Sequence, residues 1–99
     1  MKKRPASSGK PIGLALDELI QSLGIQPKLK EYEAVLQWET AVGEQIARVT
    51  TAMRITQGTL FVKVTTGVWR YELTLRKKEI VQRLNTMLGS EVVRDIKFQ

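Results

Sequence analysis

The stretch from Gly67 to Gly89, GVWRYELTLRKKEIVQRLNTMLG, constrains the fold more than any other part of the chain. Its apolar residues Trp69, Leu73, Ile80, Leu84, Met87 and Leu88 recur at steps of three, four and seven, which collects them on one stripe of an α-helix. The spacing predicts a long amphipathic helix, with Thr66 capping its N-terminus and Gly89 closing its C-terminus. The rest of its surface carries Arg70, Arg76, Lys77, Lys78 and Arg83 against two acids, Glu72 and Glu79. One element would therefore supply both core and positive surface.

That helix needs something to pack on, and the preceding sequence offers it. Val35, Trp38, Val42, Ile46 and Val49 recur at three- and four-residue steps, predicting a second helix from about Pro27 to Thr50, with Pro27 in its first turn. Gly43 interrupts this pattern at a cost of about 1 kcal/mol relative to alanine, and close approach of another backbone is the expected reason. The stripes Trp69, Leu73, Ile80, Leu84 and Trp38, Val42, Ile46 are expected to form the main core. A shorter helix is predicted over 12–24, where Leu16, Leu19, Ile20 and Leu23 fit helical spacing and Gly24 sits as a C-cap glycine. Asp17 and Glu18 are placed near its first turn, facing the positive end of the helix dipole.

Between the two long helices the period changes to two. Residues 52–56 and 59–66 alternate around Gln57-Gly58, the signature of a β-hairpin whose tight turn needs positive φ. Met53, Ile55, Leu60, Val62 and Val64 should face the helices, leaving Arg54, Phe61, Lys63 and Thr65 on the other face. Residues 92–98 read as a third strand, with its pairing partner left open. The predicted architecture is a two-layer α+β domain of order α-α-β-β-α-β, a three-stranded sheet with helices on one face. It occupies residues 12–99, behind a flexible basic N-terminal arm over residues 1–11, MKKRPASSGKP, which has no large apolar residue after Met1.

The net charge of +6 is unevenly distributed. Residues 1–11 hold four cations and no acid, residues 12–50 three cations and six acids, and residues 51–99 nine cations and four acids. A basic second half and arm point to a polyanion, and the acidic first half leaves another surface for a protein. The candidate phosphate-binding residues are Lys2, Lys3, Arg4 and Lys10 of the arm, Arg54 and Lys63 of the strands, and Arg70, Arg76, Lys77, Lys78 and Arg83 of the basic helix, with Lys97 adding charge from the third strand. Phe61 among strand cations could add base stacking. The bland alternative for these charges is a solubilising surface.

Catalytic chemistry is poorly supplied. The chain has no histidine and no cysteine, which removes metal sites of the usual N/S type, Ser-His and Cys-His pairs and thiol redox chemistry. Glu31 with Glu33 and Glu39 with Glu44 fall on a helix face that reads as solvated rather than as a shielded pocket. No Gly-x-x-x-x-Gly-Lys phosphate loop is present, so ATP hydrolysis is not expected. No enzyme and no cofactor are predicted. Without a secretory signal or a membrane-length apolar run, a cytoplasmic location with no membrane partner is expected.

Five ordered blocks then resemble a known family: Trp38-x-x-x-Val42-Gly43-x-x-Ile46-Ala47, Gly58-x-Leu60-x-Val62-x-Val64, Trp69-x-x-Glu72-Leu73, Leu84-Asn85-x-x-Leu88-Gly89 and Val93-x-x-Ile96-x-Phe98. Together they resemble the DciA family, long filed among domains of unknown function, over about residues 12–99. The resemblance implies a KH-like domain in a bacterial replication protein that binds the replicative helicase DnaB and helps place it on DNA, with no ATPase of its own. It also implies DNA contact through basic surface and a basic extension, here the 70–83 face and the arm. Longer members carry a disordered C-terminal extension, whereas here the basic arm lies in front. The Gly-x-x-Gly loop of true KH domains is absent, so their sequence-specific reading is not implied. Two other readings stay open: a protein-interaction module using the acidic second helix or the open sheet face, and an RNA-binding translation-related factor. Oligomeric state is not legible in the chain.

Overall fold

Alternation around Gln57-Gly58 produces the expected hairpin, and the rest of the molecule is assembled on it. The structure, a computed structural model, describes residues 12–99. The basic arm with Lys2, Lys3, Arg4 and Lys10 lies outside the described residues. Chain order is α1 (Ile12–Leu23), α2 (Gln26–Val42), α3 (Glu44–Ala47), β1 (Thr50–Thr56), β2 (Thr59–Val64), α4 (Gly67–Leu75), α5 (Lys77–Leu88) and β3 (Asp95–Phe98). The class is mixed α+β, as expected, with five helices rather than three among the described residues.

Both long helices expected from the periodicity are broken, each at one residue. Gly43 takes φ 90 and ψ 164, a conformation essentially reserved for glycine, and it ends α2 and starts α3. An added Cβ at Gly43 would meet nothing within 4 Å. The glycine is therefore there for its backbone angles and not for a close approach. The basic helix divides at Arg76, whose φ −100 and ψ 9 cap α4 and open α5. A stripe whose members recur at three, four and seven continues across such a break, because the bend keeps both segments over the same sheet.

At the hairpin turn Gln57 has φ 52 and Gly58 has φ 84, as a two-residue turn of mirror-image type demands. β1 and β2 pair antiparallel from Thr50↔Val64 to Thr56↔Thr59, with an irregularity between Ala52 and Arg54. That bulge leaves Met53 out of register, so it is exposed instead of facing the helices as simple alternation predicts. β3 pairs with β2, in parallel, giving the order β1-β2-β3. Parallel pairing needs a crossover, which α4 and α5 provide. β3 is shorter than the apolar pattern of 92–98 suggests. Asn85 of α5 takes up the residues before it, its Oδ1 accepting from the N–H groups of Val92 and Val93 and its Nδ2 donating to Val93 O at 2.7 Å.

The core lies between the sheet and α2, α4 and α5. Leu60, Val62 and Val64 of the central strand, Leu73, Ile80, Leu84 and Leu88 of the crossover, Trp38 of α2 and Ile96 of β3 are buried together. Trp69 and Val42 are only partly buried at its margin, and Met87 is exposed. Trp38 is fixed at both ends of its ring system. Its indole Nε1–H donates to Thr50 Oγ1 at 2.9 Å, that hydroxyl donates to Ile46 O at 2.8 Å, and the ring tilts against Phe98 at 6.3 Å between centroids. A buried indole N–H needs such a partner, and Thr50 supplies it from the first residue of β1.

α1 behaves differently. It forms over the expected residues and ends at Gly24, whose φ is 72, but none of its residues is buried. Its first turn contains no acid. Asp17 and Glu18 sit one turn further in, so the expected dipole contact is not made. α1 stands on α2 and adds nothing to the layer over the sheet.

Candidate nucleic-acid interface

Five cations were expected along one helix, with only some of them able to share a groove, and the break at Arg76 divides them between α4 and α5. Arg70 lies partly buried on α4 and reaches back to the end of β2, donating from Nη2 to Val64 O at 3.3 Å, while its Nε is buried without a partner. Arg76 pairs with Glu72 at 3.2 Å. Lys77 spans from the start of α5 to the start of β3, with Nζ 2.9 Å from Asp95 Oδ1. That hydrogen bond holds the Asp95 carboxyl below its ordinary range, assisted by the Ile96 N–H and by the lysine charge, and opposed by partial burial. Arg83 donates from Nη1 to Ala41 O at 3.0 Å, satisfying a carbonyl at the C-terminal end of α2, and lies 3.8 Å from Glu79. Only Lys78 of the five is exposed without an ion pair or hydrogen bond to a described residue. The crossover cations thus serve mainly to tie α4 and α5 to their neighbours.

The sheet gathers what the helix does not. Leu60, Val62 and Val64 point to the helices, so alternation sends Thr59, Phe61 and Lys63 to the opposite face. The register places Arg54 of β1 beside Phe61 of β2, and Lys97 of β3 on the other side of the same phenylalanine. Three strands at their usual spacing make a row about 10 Å across, cation, aromatic, cation. Arg54 is not extended into solvent: its Cζ stands 4.4 Å from the centroid of the Phe61 ring, a stacked cation–π pair. Lys63 lies one row along, beside Thr51. The only acid in the neighbouring row, Asp95 beside Thr59, is the one that Lys77 neutralises. Arg54, Lys63 and Lys97 are exposed and Phe61 is half-buried.

This face can present a flat guanidinium backed by an aromatic ring, with lysines at hand for phosphates. Nucleic-acid bases stack on such planes, and the stack tolerates any base because every base has a π-face. Sequence reading finds Arg54, Phe61 and Lys63 by alternation alone. The position of Lys97 in the row was not legible, because it depends on β3 pairing with β2 in one register and no local signal encodes that. Gly58 closes the hairpin at the end of the sheet, where an added Cβ would come 3.2 Å from Arg94 Nε.

Among the described residues no group of three or more acidic, histidine or cysteine side chains is placed to hold a metal ion. No helix among them is long and apolar enough to cross a membrane. Among the described residues the surface hollows are shallow: one runs beside α5 from Lys78 to Glu91, and one between α1 and α2 carries Asp17 and Glu33 with Lys30 beside them.

A family model described as "Dna[CI] antecedent, DciA" matches residues 11–98. Curated relatives include a UPF0232 protein of Mycolicibacterium smegmatis, 24% identical over 87 residues, which covers 88% of this chain and 45% of the relative. UPF0232 proteins of Mycobacterium ulcerans and Mycobacterium marinum are 25% identical over 88 residues, covering 89% of this chain and 47% of each relative. The chain spans about half the length of the curated relatives it matches.

Proposed function

The chain belongs to the DciA family, and from that premise we propose that it is a non-enzymatic accessory factor of bacterial DNA replication that binds nucleic acid and the replicative helicase DnaB, assisting the helicase onto DNA. The order of helices and strands is compatible with the KH-like domain that the family resemblance implies. The observation that carries the nucleic-acid part is the row Arg54, Phe61, Lys97, with Lys63 beside it, on the uncovered face of the sheet. Lys78 and the arm cations Lys2, Lys3, Arg4 and Lys10 extend the positive surface electrostatically. Arg70, Arg76, Lys77 and Arg83 contribute to the field while holding structural contacts, so their removal acts on folding as well as binding. The absence of histidine, cysteine and a phosphate loop supports a role without catalysis.

Contact of this kind is shallow and reads backbone and base planes, so we expect little sequence preference and steep salt dependence. The test is a salt titration of binding to labelled single-stranded DNA, duplex DNA and RNA. Arg54→Glu with Lys97→Glu should weaken binding to every ligand. Replacing either cation by alanine should lower the log–log salt slope for single strands by about 0.7 for each phosphate that is no longer neutralised. Phe61→Ala should weaken single strands more than duplex, by the about 1–3 kcal/mol a base stack contributes. Wild-type affinity and slope in the double variant would remove nucleic acid from the sheet face. Calorimetry with the purified replicative helicase tests the partner separately, and no heat at micromolar concentrations would remove it.

A further inference from the structure

Ile12, Leu16, Leu19 and Leu23 run along α1 in steps of four, three and four. Ile25, Leu29, Tyr32 and Leu36 repeat the same steps from the N-cap of α2. This is the spacing of a coiled-coil or helix-bundle seam, sustained for nearly two heptads on each helix. All eight side chains are exposed, from 40% at Ile25 to 87% at Ile12. The opposite stripe of α2, with Ala34, Trp38 and Ala41, is the one in the core. α2 is therefore apolar on two sides, and the sheet accounts for one of them.

The two exposed stripes form one surface. The cleft between the helices is lined by Asp17, Ile20 and Gln21 from α1 and by Gln26, Leu29, Lys30 and Glu33 from α2, with early residues of one helix meeting later residues of the other, as in an antiparallel hairpin. Measured round each helix from that cleft at 100° per residue, both stripes turn to the same side of the pair. Their combined exposed area is on the order of 800 Å2, about what one partner contributes to a standard protein interface. Isolated surface leucines need no explanation, but a contiguous apolar face of this size on a small chain does.

We propose that this face is a homodimer interface, in which the α1–α2 hairpins of two copies close a four-helix bundle around the stripes. A two-fold partner brings two seams of identical length and spacing, which is what closure of a half-bundle requires. Charge selects the arrangement. Among residues 12–23 there are two acids, Asp17 and Glu18, and no cation, whereas the first turns of α2 balance Lys28 and Lys30 against Glu31 and Glu33, with Lys30 donating to Leu88 O at 3.1 Å. Packing α1 on the partner's α1 opposes two acidic helices, and packing it on the charge-balanced first turns of the partner's α2 avoids that repulsion. The same acids make α1 a poor match for an anionic membrane surface, which favours basic amphipathic helices. The sheet face with Arg54 and Phe61 stays free in each copy, so a dimer would display two such faces.

Sedimentation equilibrium of the 99-residue chain from about 1 to 200 μM tests this, with circular dichroism to verify that each variant folds. A reversible monomer–dimer equilibrium is expected. Leu19→Glu and Leu36→Glu, both at exposed positions of the monomer, should each raise the dimer Kd by about 100-fold or more by placing a charge in an apolar seam. Lys78→Glu on α5 should leave it unchanged. A chain that stays monomeric throughout the concentration range overturns the proposal and assigns the face to a different partner or to further chain. A dimer that ignores both leucine substitutions overturns it as well.

Discussion

α1 and α5 are each 12 residues long and each carries an apolar stripe at helical spacing. α5 buries Ile80, Leu84 and Leu88, and α1 buries nothing. The difference does not lie in the helices themselves. α5 is the second half of a crossover that must return the chain to β2, so the parallel pairing of β3 holds its apolar side against the sheet. Among the described residues α1 packs on α2, and its stripe turns away from the cleft they share. An apolar stripe thus records that a side of a helix is to be covered, and the topology decides what covers it.

The largest expected effect tests that contrast directly. Leu84 is fully buried and Leu19 is 53% exposed, so Leu84→Ala should cost about 2–5 kcal/mol. In dilute solution, Leu19→Ala should change stability by no more than about 0.5 kcal/mol. Urea unfolding of both variants at low micromolar concentration measures the two values. Equal losses would mean that α1 is packed into the folding unit, and the contrast between the helices would fail.

A smaller effect sharpens the other side of α5. Asn85 satisfies two N–H groups and one carbonyl in the connection to β3. Asn85→Ala leaves them unpaired in a partly buried place and should cost about 1–3 kcal/mol. Amide hydrogen exchange at Val92 and Val93 should accelerate more than exchange in β1 or β2. Uniform acceleration across the sheet would show that Asn85 acts on global stability and does not hold this connection in particular.

The smallest effect is electrostatic. The Asp95 carboxyl is held below its ordinary range by the Lys77 hydrogen bond. A carboxyl depressed in the folded state adds stability above its unfolded value, near 3.9, and that stability is lost as pH falls through the folded value. Asp95→Asn should therefore flatten part of the stability decrease below about pH 4 and leave the profile from pH 6 to 8 nearly parallel to wild type. The pair is half-exposed, so the increment is small and shrinks with salt. An identical acid limb in both proteins would show that Lys77 does not stabilise the ionised carboxyl.

Several features were legible because they are local. Helix spacing, the Thr66 cap whose side chain accepts from the Trp69 N–H, the Gln57-Gly58 turn and the αL closure at Gly89 each depend on a few consecutive residues. The breaks at Gly43 and Arg76 were not legible from periodicity: the four-residue step from Val42 to Ile46 and the seven-residue step from Leu73 to Ile80 each run on across a kink. Met53 was misplaced because one bulge residue shifts alternation. Within the candidate interface, Arg54, Phe61 and Lys63 followed from the period of two. The contacts of the crossover cations were not legible, because Arg70, Lys77 and Arg83 have partners 6, 18 and 42 residues away along the chain.

By itself, then, the sequence determined the kinds of elements, their order, the turn and cap chemistry, the lack of histidine and cysteine, and the five blocks that place the chain in its family. Those properties rest on backbone preferences and on which residues are present. Only the tertiary structure decided that β3 lies beside β2, that Lys97 therefore flanks Phe61, that most crossover cations are tied inward, and that the stripe of α1 is left uncovered. Each of these depends on contacts between residues far apart in the chain, where the gain from pairing or burial is set against the entropy of closing a loop, and no short stretch of sequence encodes that balance.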